Sequence, residues 1–184
     1  DRSAWLMGEV NHIVDHLKLE YKGVFNLRDM FRMFTRWYKE SPYEKGGDYV
    51  SEQNTSRGKY MEYSYWPWKK QTDYIRYFMK IRMLIYDSNK VDIMIDGKKK
   101  KMDHARIIIY IDGFVETDYE MRWQHTPLTQ FIRTMFIKFF YKDYSKYHEK
   151  LIVSDCHQIY DMFERFFNMY HNYREIKEMP HFYY

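Results

Sequence analysis

The residues best suited to chemistry in this chain are cations that form two groups. Arg28, Arg32 and Arg36 recur every four residues, and lysines fill positions 98–101 in succession. On a helix, guanidinium groups at this spacing lie about 6 Å apart along one face, which suits the phosphates of a nucleic-acid backbone. A solvated helix face is the alternative for the arginines, and solubility of a hairpin tip is the alternative for the lysines. Together, the two groups favour binding of a polyanion.

Aromatic side chains crowd the segment at 60–68, which ends beside Lys69 and Lys70. Rings next to cations stack on bases or anchor a protein partner if one face of the segment is exposed. If helices and loops cover both faces, the same rings belong to the core. We predict nucleic-acid contacts from the two cation groups and two of these rings: Arg28, Arg32, Arg36, Lys98, Lys99, Lys100, Lys101, Trp66 and Trp68.

Three carboxylates, Glu116, Asp118 and Glu120, alternate along one predicted strand. Side chains with this spacing share a face, where they can hold Mg²⁺ or act in acid–base catalysis. Cations on another strand of the same sheet can pair with them instead, namely Arg76, Lys80 and Arg82. We favour this pairing over a metal site.

Histidine and cysteine give no complete site in the sequence. His12 and His16 share a strand face, but neighbouring residues do not supply the third ligand that zinc requires. Cys156 and His157 point about 100° apart on a helix, which does not suit a nucleophile and its base, and Cys156 falls on an apolar stripe. The chain has no glycine-rich phosphate loop, G-x-S-x-G, C-x-x-C or H-E-x-x-H motif. We therefore predict a binding protein without catalytic residues, metal or cofactor.

Composition describes an aromatic, mildly basic chain of 184 residues, with 21% aromatic residues, 13 Met and a net charge of +4. This length fits one domain over 1–184, with a disordered or processed start at 1–8 and a tail at 174–184. No apolar run approaches the roughly 18 residues that cross a membrane, and the single cysteine cannot form an intrachain disulfide. We expect a cytoplasmic protein without a membrane-spanning segment.

Alternating apolar residues predict about six strands, at 11–21, 48–54, 59–66, 74–86, 91–95 and 105–120. Gly23 and the segments 87–89 and 96–101 are expected turns, and Pro67 marks a strand end or an edge. Asn26 is the predicted N-cap of a helix that ends at Ser41 before Pro42. Two long helices are predicted in the final third, one starting after Thr126 and one through 151–170, with a break near 143–147; a single bent helix is the alternative.

These elements predict an α+β fold, with an antiparallel meander, one N-terminal helix and two long C-terminal helices on one face. The element order resembles the START or helix-grip family over most of the chain. In that family a curved sheet wraps around a final helix and encloses an apolar cavity. This chain departs from it in having one early helix and two late helices, so no ligand residues are carried over. The stretches YKGVF at 21–25, DYIR at 73–76 and DYE at 118–120 are similar to small uncharacterised archaeal proteins.

Three functions follow as hypotheses. The first is an RNA- or ribosome-associated factor that uses the arginine stripe and the lysine tip. The second is a helix-grip pocket for an apolar small molecule, with adaptable walls at Met79, Met83, Met135 and Met162. The third is a metal-dependent enzyme built on Glu116, Asp118 and Glu120.

A homodimer through an exposed aromatic face is also expected, because large apolar patches usually have a partner.

Overall fold

The computed structural model of the chain describes residues 9–95, 98–117 and 141–171. Their elements, in chain order, are β1 (Glu9–Phe25), α1 (Leu27–Glu40), β2 (Glu44–Thr55), β3 (Gly58–Lys70), β4 (Ile75–Ile95), β5 (Lys98–Thr117) and α2 (Tyr141–Asn168). The strands form one antiparallel sheet in the order β1-β5-β4-β3-β2. Buried side chains of both helices join a single core with one face of this sheet. We call this face the helix face and the opposite one the outer face.

The predicted count of six strands and three helices is wrong, because the described residues form five strands and two helices and are mostly sheet. The predicted strands at 74–86 and 91–95 are one strand, β4. Asp87 has a left-handed φ of 53°, and the register with β5 shifts between Tyr86 and Asn89. The turn-forming residues therefore make a β-bulge instead of a turn, because pairing with β5 continues on both sides.

The predicted break near 143–147 is also wrong, because α2 runs unbroken from Tyr141 to Asn168. This segment has no proline or glycine, the residues that most strongly interrupt a helix. The helix predicted after Thr126 falls mainly on 128–140, which lies outside the described residues. Neither described helix is long and apolar enough to cross a bilayer.

Three predicted strand ends are displaced. β1 continues through Gly23, which pairs with Ala105, and the lysines at 98–101 pair with residues 92–95 instead of forming a loop. β3 continues through Pro67, which is buried opposite Lys45. The register of β2 shifts directly after Lys45, so the missing proline N–H falls at a bulge, where a sheet tolerates it.

The N-terminal helix confirms its sequence signals. The Asn26 side chain accepts a hydrogen bond from the backbone N–H of Asp29 at 3.3 Å, and the Ser41 N–H donates to the Trp37 carbonyl at 2.8 Å. These contacts satisfy backbone groups that have no partner inside the helix. The apolar stripe of the helix, with Met30 and Phe34 fully buried, faces the sheet.

The core depends on the alternation of β4. Every second residue is fully buried on its helix face: Ile75, Tyr77, Met79, Ile81, Met83 and Ile85. α2 packs closely on β5 at Gly113, where an added Cβ would lie 2.8 Å from Cys156 Sγ and 3.2 Å from Ile152 Cγ1. Burial raises the pKa of the Cys156 thiol to about 12, so it is protonated at neutral pH and belongs to the core, as expected.

Replacing Gly113 by alanine is expected to lower the free energy of unfolding by about 1–3 kcal/mol, because the added methyl group overpacks the contact with α2. Adding Cys156→Ala in the same chain removes the nearest atom and should recover part of this loss. Gly23→Ala is the matched control, since a Cβ there meets the end of the flexible Tyr21 side chain. Urea denaturation of the wild type, G113A, C156A and G113A/C156A measures the coupling, and equal losses in G113A and the G23A control would refute it.

A buried hydrogen bond joins α2 to β4. His148 is 3% exposed, and its Nδ1 shares a hydrogen bond with the Tyr77 hydroxyl, which is fully buried. Burial lowers the pKa of His148 from its ordinary value of 6.5, because the charged imidazolium is poorly solvated there.

This pKa shift predicts that acid destabilises the fold. Between the unfolded pKa of 6.5 and the lower folded pKa, the unfolded chain binds more protons, so the free energy of unfolding falls as the pH falls through that window. His148→Gln should flatten this part of the profile, whereas His157→Gln, at an exposed position of the same helix, should leave it unchanged. Chemical denaturation from neutral pH to about pH 5 tests this, and an unaltered slope in H148Q would contradict it.

Candidate functional site

The arginine stripe lies on the helix side of the molecule. Arg28, Arg32 and Arg36 are all exposed, and Arg32 forms an ion pair with Asp29 at 3.0 Å. The opposite side of α1 packs on the helix face of the sheet, since Phe34 contacts the Tyr65 ring at 4.8 Å between centroids. The stripe therefore points away from the outer face.

The four predicted lysines lie on a two-stranded extension of the sheet. Residues 98–102 of β5 pair with 91–95 of β4, beyond the last paired residues of β1 and β3. We call this extension the lysine ribbon; all four lysines are exposed. Successive strand residues point to opposite sides, so the ribbon presents two lysines on each side.

Trp66 and Trp68 lie far from the lysine ribbon. Trp68 pairs with Phe78 near the start of β4, whereas Lys99 pairs with Met94 near its end. Sixteen residues of strand separate these two positions, a distance of about 50 Å at 3.3 Å per residue. The structure therefore does not bring the three predicted groups together.

Other cations and rings meet on the outer face. Cross-strand pairing places them in rows that run from strand to strand, and we call each row a rung. One rung contains Lys18, Tyr110, Arg82 and Ser64 in neighbouring strands. The Arg82 guanidinium stands 5.1 Å from the centroid of the Tyr110 ring. A second rung places Arg106 at 6.0 Å from the Tyr86 ring, which in turn contacts Tyr60. These cation–π contacts hold the guanidinium groups against the sheet.

Arg82 and Lys80 differ from the other β4 cation on this face. Arg76 pairs with Glu116, but neither Arg82 nor Lys80 forms an ion pair with a carboxylate within 9–95, 98–117 or 141–171. The Arg82 Nε is buried and has no hydrogen-bond partner. A buried donor without a partner is costly, so an anion that accepts from it would recover that cost.

The ion pair with Arg76 accounts for one of the three predicted strand carboxylates, Glu116. Glu116 is fully buried and accepts a hydrogen bond from Arg76 Nε at 2.8 Å across the sheet. The pairing that we favoured from the sequence is confirmed for this carboxylate. Asp118 and Glu120 lie outside the described residues.

A cluster of histidines and aspartates lies where β1 bulges. The register between β1 and β5 shifts twice, on both sides of Val14, and His16 has a left-handed φ of 51°. The His16 backbone N–H donates to Asp112 Oδ1 at 2.7 Å. His12 Nε2 lies 3.7 Å from an oxygen of Asp15 and 3.7 Å from an oxygen of Asp112.

The remaining contacts tie the cluster together. His16 Nδ1 is hydrogen-bonded to Asp15, which lowers the pKa of this carboxyl, and lies 3.4 Å from Asp112 Oδ1. The His12 ring stacks on Phe114 at 4.4 Å, and Phe114 stacks on Phe78 at 4.6 Å. The sequence suggested two histidines, but it did not identify Asp112, which is 96 residues from His16.

A groove lies between α1 and α2 on the helix side. It has a volume of about 410 Å³, and Met33, Trp37, Tyr43 and Met162 are among its lining residues. Beside it, the Tyr43 hydroxyl donates to Asp155 at 2.6 Å, and Lys69 Nζ lies 3.1 Å from the same oxygen. Burial, followed by this hydrogen bond, raises the pKa of Tyr43.

The predicted methionine walls do not enclose one cavity in the part of the chain that the structure describes. Met79 and Met83 are fully buried in the core, Met162 lines the groove, and Met135 lies outside the described residues. An apolar ligand therefore stays a prediction.

No protein-family model, curated protein or solved structure matches this chain.

Proposed function

We propose that the outer face binds single-stranded RNA, and that Lys80 and Arg82 supply its central phosphate contacts. The observation that carries this proposal is the state of Arg82. Its guanidinium is held over the Tyr110 ring, pairs with no carboxylate among the described residues, and keeps one buried donor without a partner. A phosphate oxygen supplies the negative charge, and a rotation of the Arg82 side chain that exposes its buried Nε would let the same phosphate accept from it.

Lys80 strengthens the case because it is two residues from Arg82 and shares its face of β4. Two cations side by side on a rigid strand suit consecutive phosphates of one chain. Lys18 and Lys22 lie on the same face two strands away, opposite Tyr110 and Arg106. Contacts of this kind give affinity without strong sequence preference, because they are made to the backbone.

The rings of this face have a smaller part in the proposal. Phe114 stacks on Phe78 and on His12, with interplanar angles of 6° and 11°, so each of these rings already has at least one face covered. Arg76 stands over Trp68 at 5.6 Å. We propose that these rings position the cations and that base stacking contributes little to RNA binding.

The central phosphate contacts therefore lie on β4 and not on α1, where the sequence predicted them. The lysine ribbon extends this binding surface. Arg82 and the ribbon share one long strand, whereas the α1 arginines face the other side of the molecule. A ribosomal particle or another cytoplasmic RNA is the partner that we propose, as the sequence suggested.

Replacing both central cations, as K80Q/R82Q, should weaken binding of a labelled single-stranded RNA, measured by fluorescence anisotropy. Two lost phosphate contacts should also make the slope of log K against log salt shallower by about 1.4. Glutamine keeps the aliphatic stem of each side chain but loses the cation–π contact of Arg82 with Tyr110, so urea denaturation of the variant is measured alongside to show that it is folded.

The matched control is R28Q/R36Q, which removes the same charge from the exposed side of α1. It should leave the salt slope near the wild-type value. Equal effects of the two double variants would show that net charge, and not the outer face, controls binding. A wild-type protein with no salt-dependent binding would reject the proposal.

The lysine ribbon should contribute only to binding of longer RNA. Lys99 lies opposite Met94, twelve residues along β4 from Arg82, a separation of about 40 Å. This exceeds the Debye length of about 10 Å at 0.1 M salt. Substituting all four lysines by glutamine should therefore spare a bound tetranucleotide but weaken an oligonucleotide of about 20 residues. An equal loss of affinity for the tetranucleotide and the longer oligonucleotide would contradict a binding surface that extends from Arg82 to the lysine ribbon.

A further inference from the structure

The β1 bulge brings three metal-ligating atoms to one point of the outer face. His12 Nε2, one oxygen of Asp15 and one oxygen of Asp112 all lie within 4.8 Å of one another. Donors around a tetrahedral zinc ion, each about 2.0–2.1 Å from the metal, are about 3.3 Å apart. The two distances from His12 Nε2 are both 3.7 Å and the two carboxylate oxygens lie within 4.8 Å of each other, so rotation of the exposed Asp15 side chain would complete this arrangement.

From this geometry we propose that His12, Asp15 and Asp112 form a binding site for a divalent transition-metal ion of the zinc class. The site uses none of the cations proposed to bind RNA, although Lys80 is the cross-strand partner of Asp112. Two carboxylates balance the charge of the ion, and an imidazole ligand favours zinc or a neighbouring transition metal over Mg²⁺ or Ca²⁺.

The ligands are already held in place by the fold. The Asp112 side chain is 8% exposed and is fixed by the His16 backbone N–H. The His12 ring is fixed by its stacking on Phe114. Ligands whose orientation is fixed before binding lose little conformational freedom when the ion arrives.

His16 is the positioning residue of this site. Its ring hydrogen-bonds to Asp15, and its left-handed backbone directs its own N–H at Asp112, so it contacts both carboxylate ligands. Such outer contacts orient ligands and contribute to metal affinity.

The site is open to solvent on one side. The His12 side chain is 38% exposed and that of Asp15 is 73% exposed, so an ion can enter directly. Three protein ligands leave a fourth position for water, as in zinc sites that take an exogenous ligand.

Titration of the untagged full chain with ZnCl₂ tests the site, with competition against a chromophoric chelator as the readout. We expect one ion per chain and a rise in melting temperature that MgCl₂ does not produce. CoCl₂ provides a spectroscopic probe, because four-coordinate Co²⁺ absorbs far more strongly in the visible than hydrated Co²⁺.

Substitutions then identify the ligands. His12→Gln and Asp15→Asn should each remove the Co²⁺ absorption and weaken zinc binding by more than about 100-fold, whereas His16→Asn should weaken it by about 10–100-fold. Asparagine is chosen at 16 because it tolerates a left-handed backbone. Asp15 is exposed, so its variant tests the site even if Asp112→Asn fails to fold.

The matched control is H157Q/D161N, which removes an exposed histidine and aspartate from α2. It should bind zinc like the wild type. Zinc binding that persists in H12Q or D15N, or that is lost equally in the α2 control, would overturn the proposal. An absence of one-to-one binding at micromolar zinc would also overturn it.

Discussion

The close contact of α2 with β5 at Gly113 fixes how the long helix packs on the sheet. Because this residue has no side chain, Cys156 and Ile152 approach the strand backbone directly. At the same level of the sheet, β1 shifts register on both sides of Val14, the partner of Gly113. The same level of the sheet therefore carries this close helix contact on one face and the histidine–aspartate cluster on the other.

The two faces of the sheet use opposite physical chemistry. The helix face of β4 buries uncharged side chains in a continuous row, and its stability comes from removal of apolar surface from water. The outer face places charged groups and rings side by side, where Glu116 pairs with Arg76 and Glu20 pairs with Arg106. The charge that remains at Lys80 and Arg82 is local, so a net charge of +4 says little about where an anion binds.

Several features of the fold could be predicted from local sequence because their causes are local. The Asn26 cap and the end of α1 before Pro42 are decided within one helical turn, and both predictions are confirmed. The turn predicted at 87–89 was wrong because Asp87, Ser88 and Asn89 favour a bulge as well as a turn. Only the pairing of β5 on both sides of these residues selects the bulge, and that pairing depends on residues far along the chain.

Local sequence is enough to assign the side chains of β4 to one face or the other, because strand alternation has a period of two residues. It is also enough to place the cap of α1 and the apolar stripe of α2. Which groups meet across the sheet depends on how the strands pair, and that pairing is a property of the folded chain. Asp112 reaches His12 and His16 through one antiparallel register and two bulges, and each bulge residue reverses the face of every residue beyond it. Local propensity does not encode the number of bulge residues in β1. The cluster therefore forms only when β1 pairs with β5.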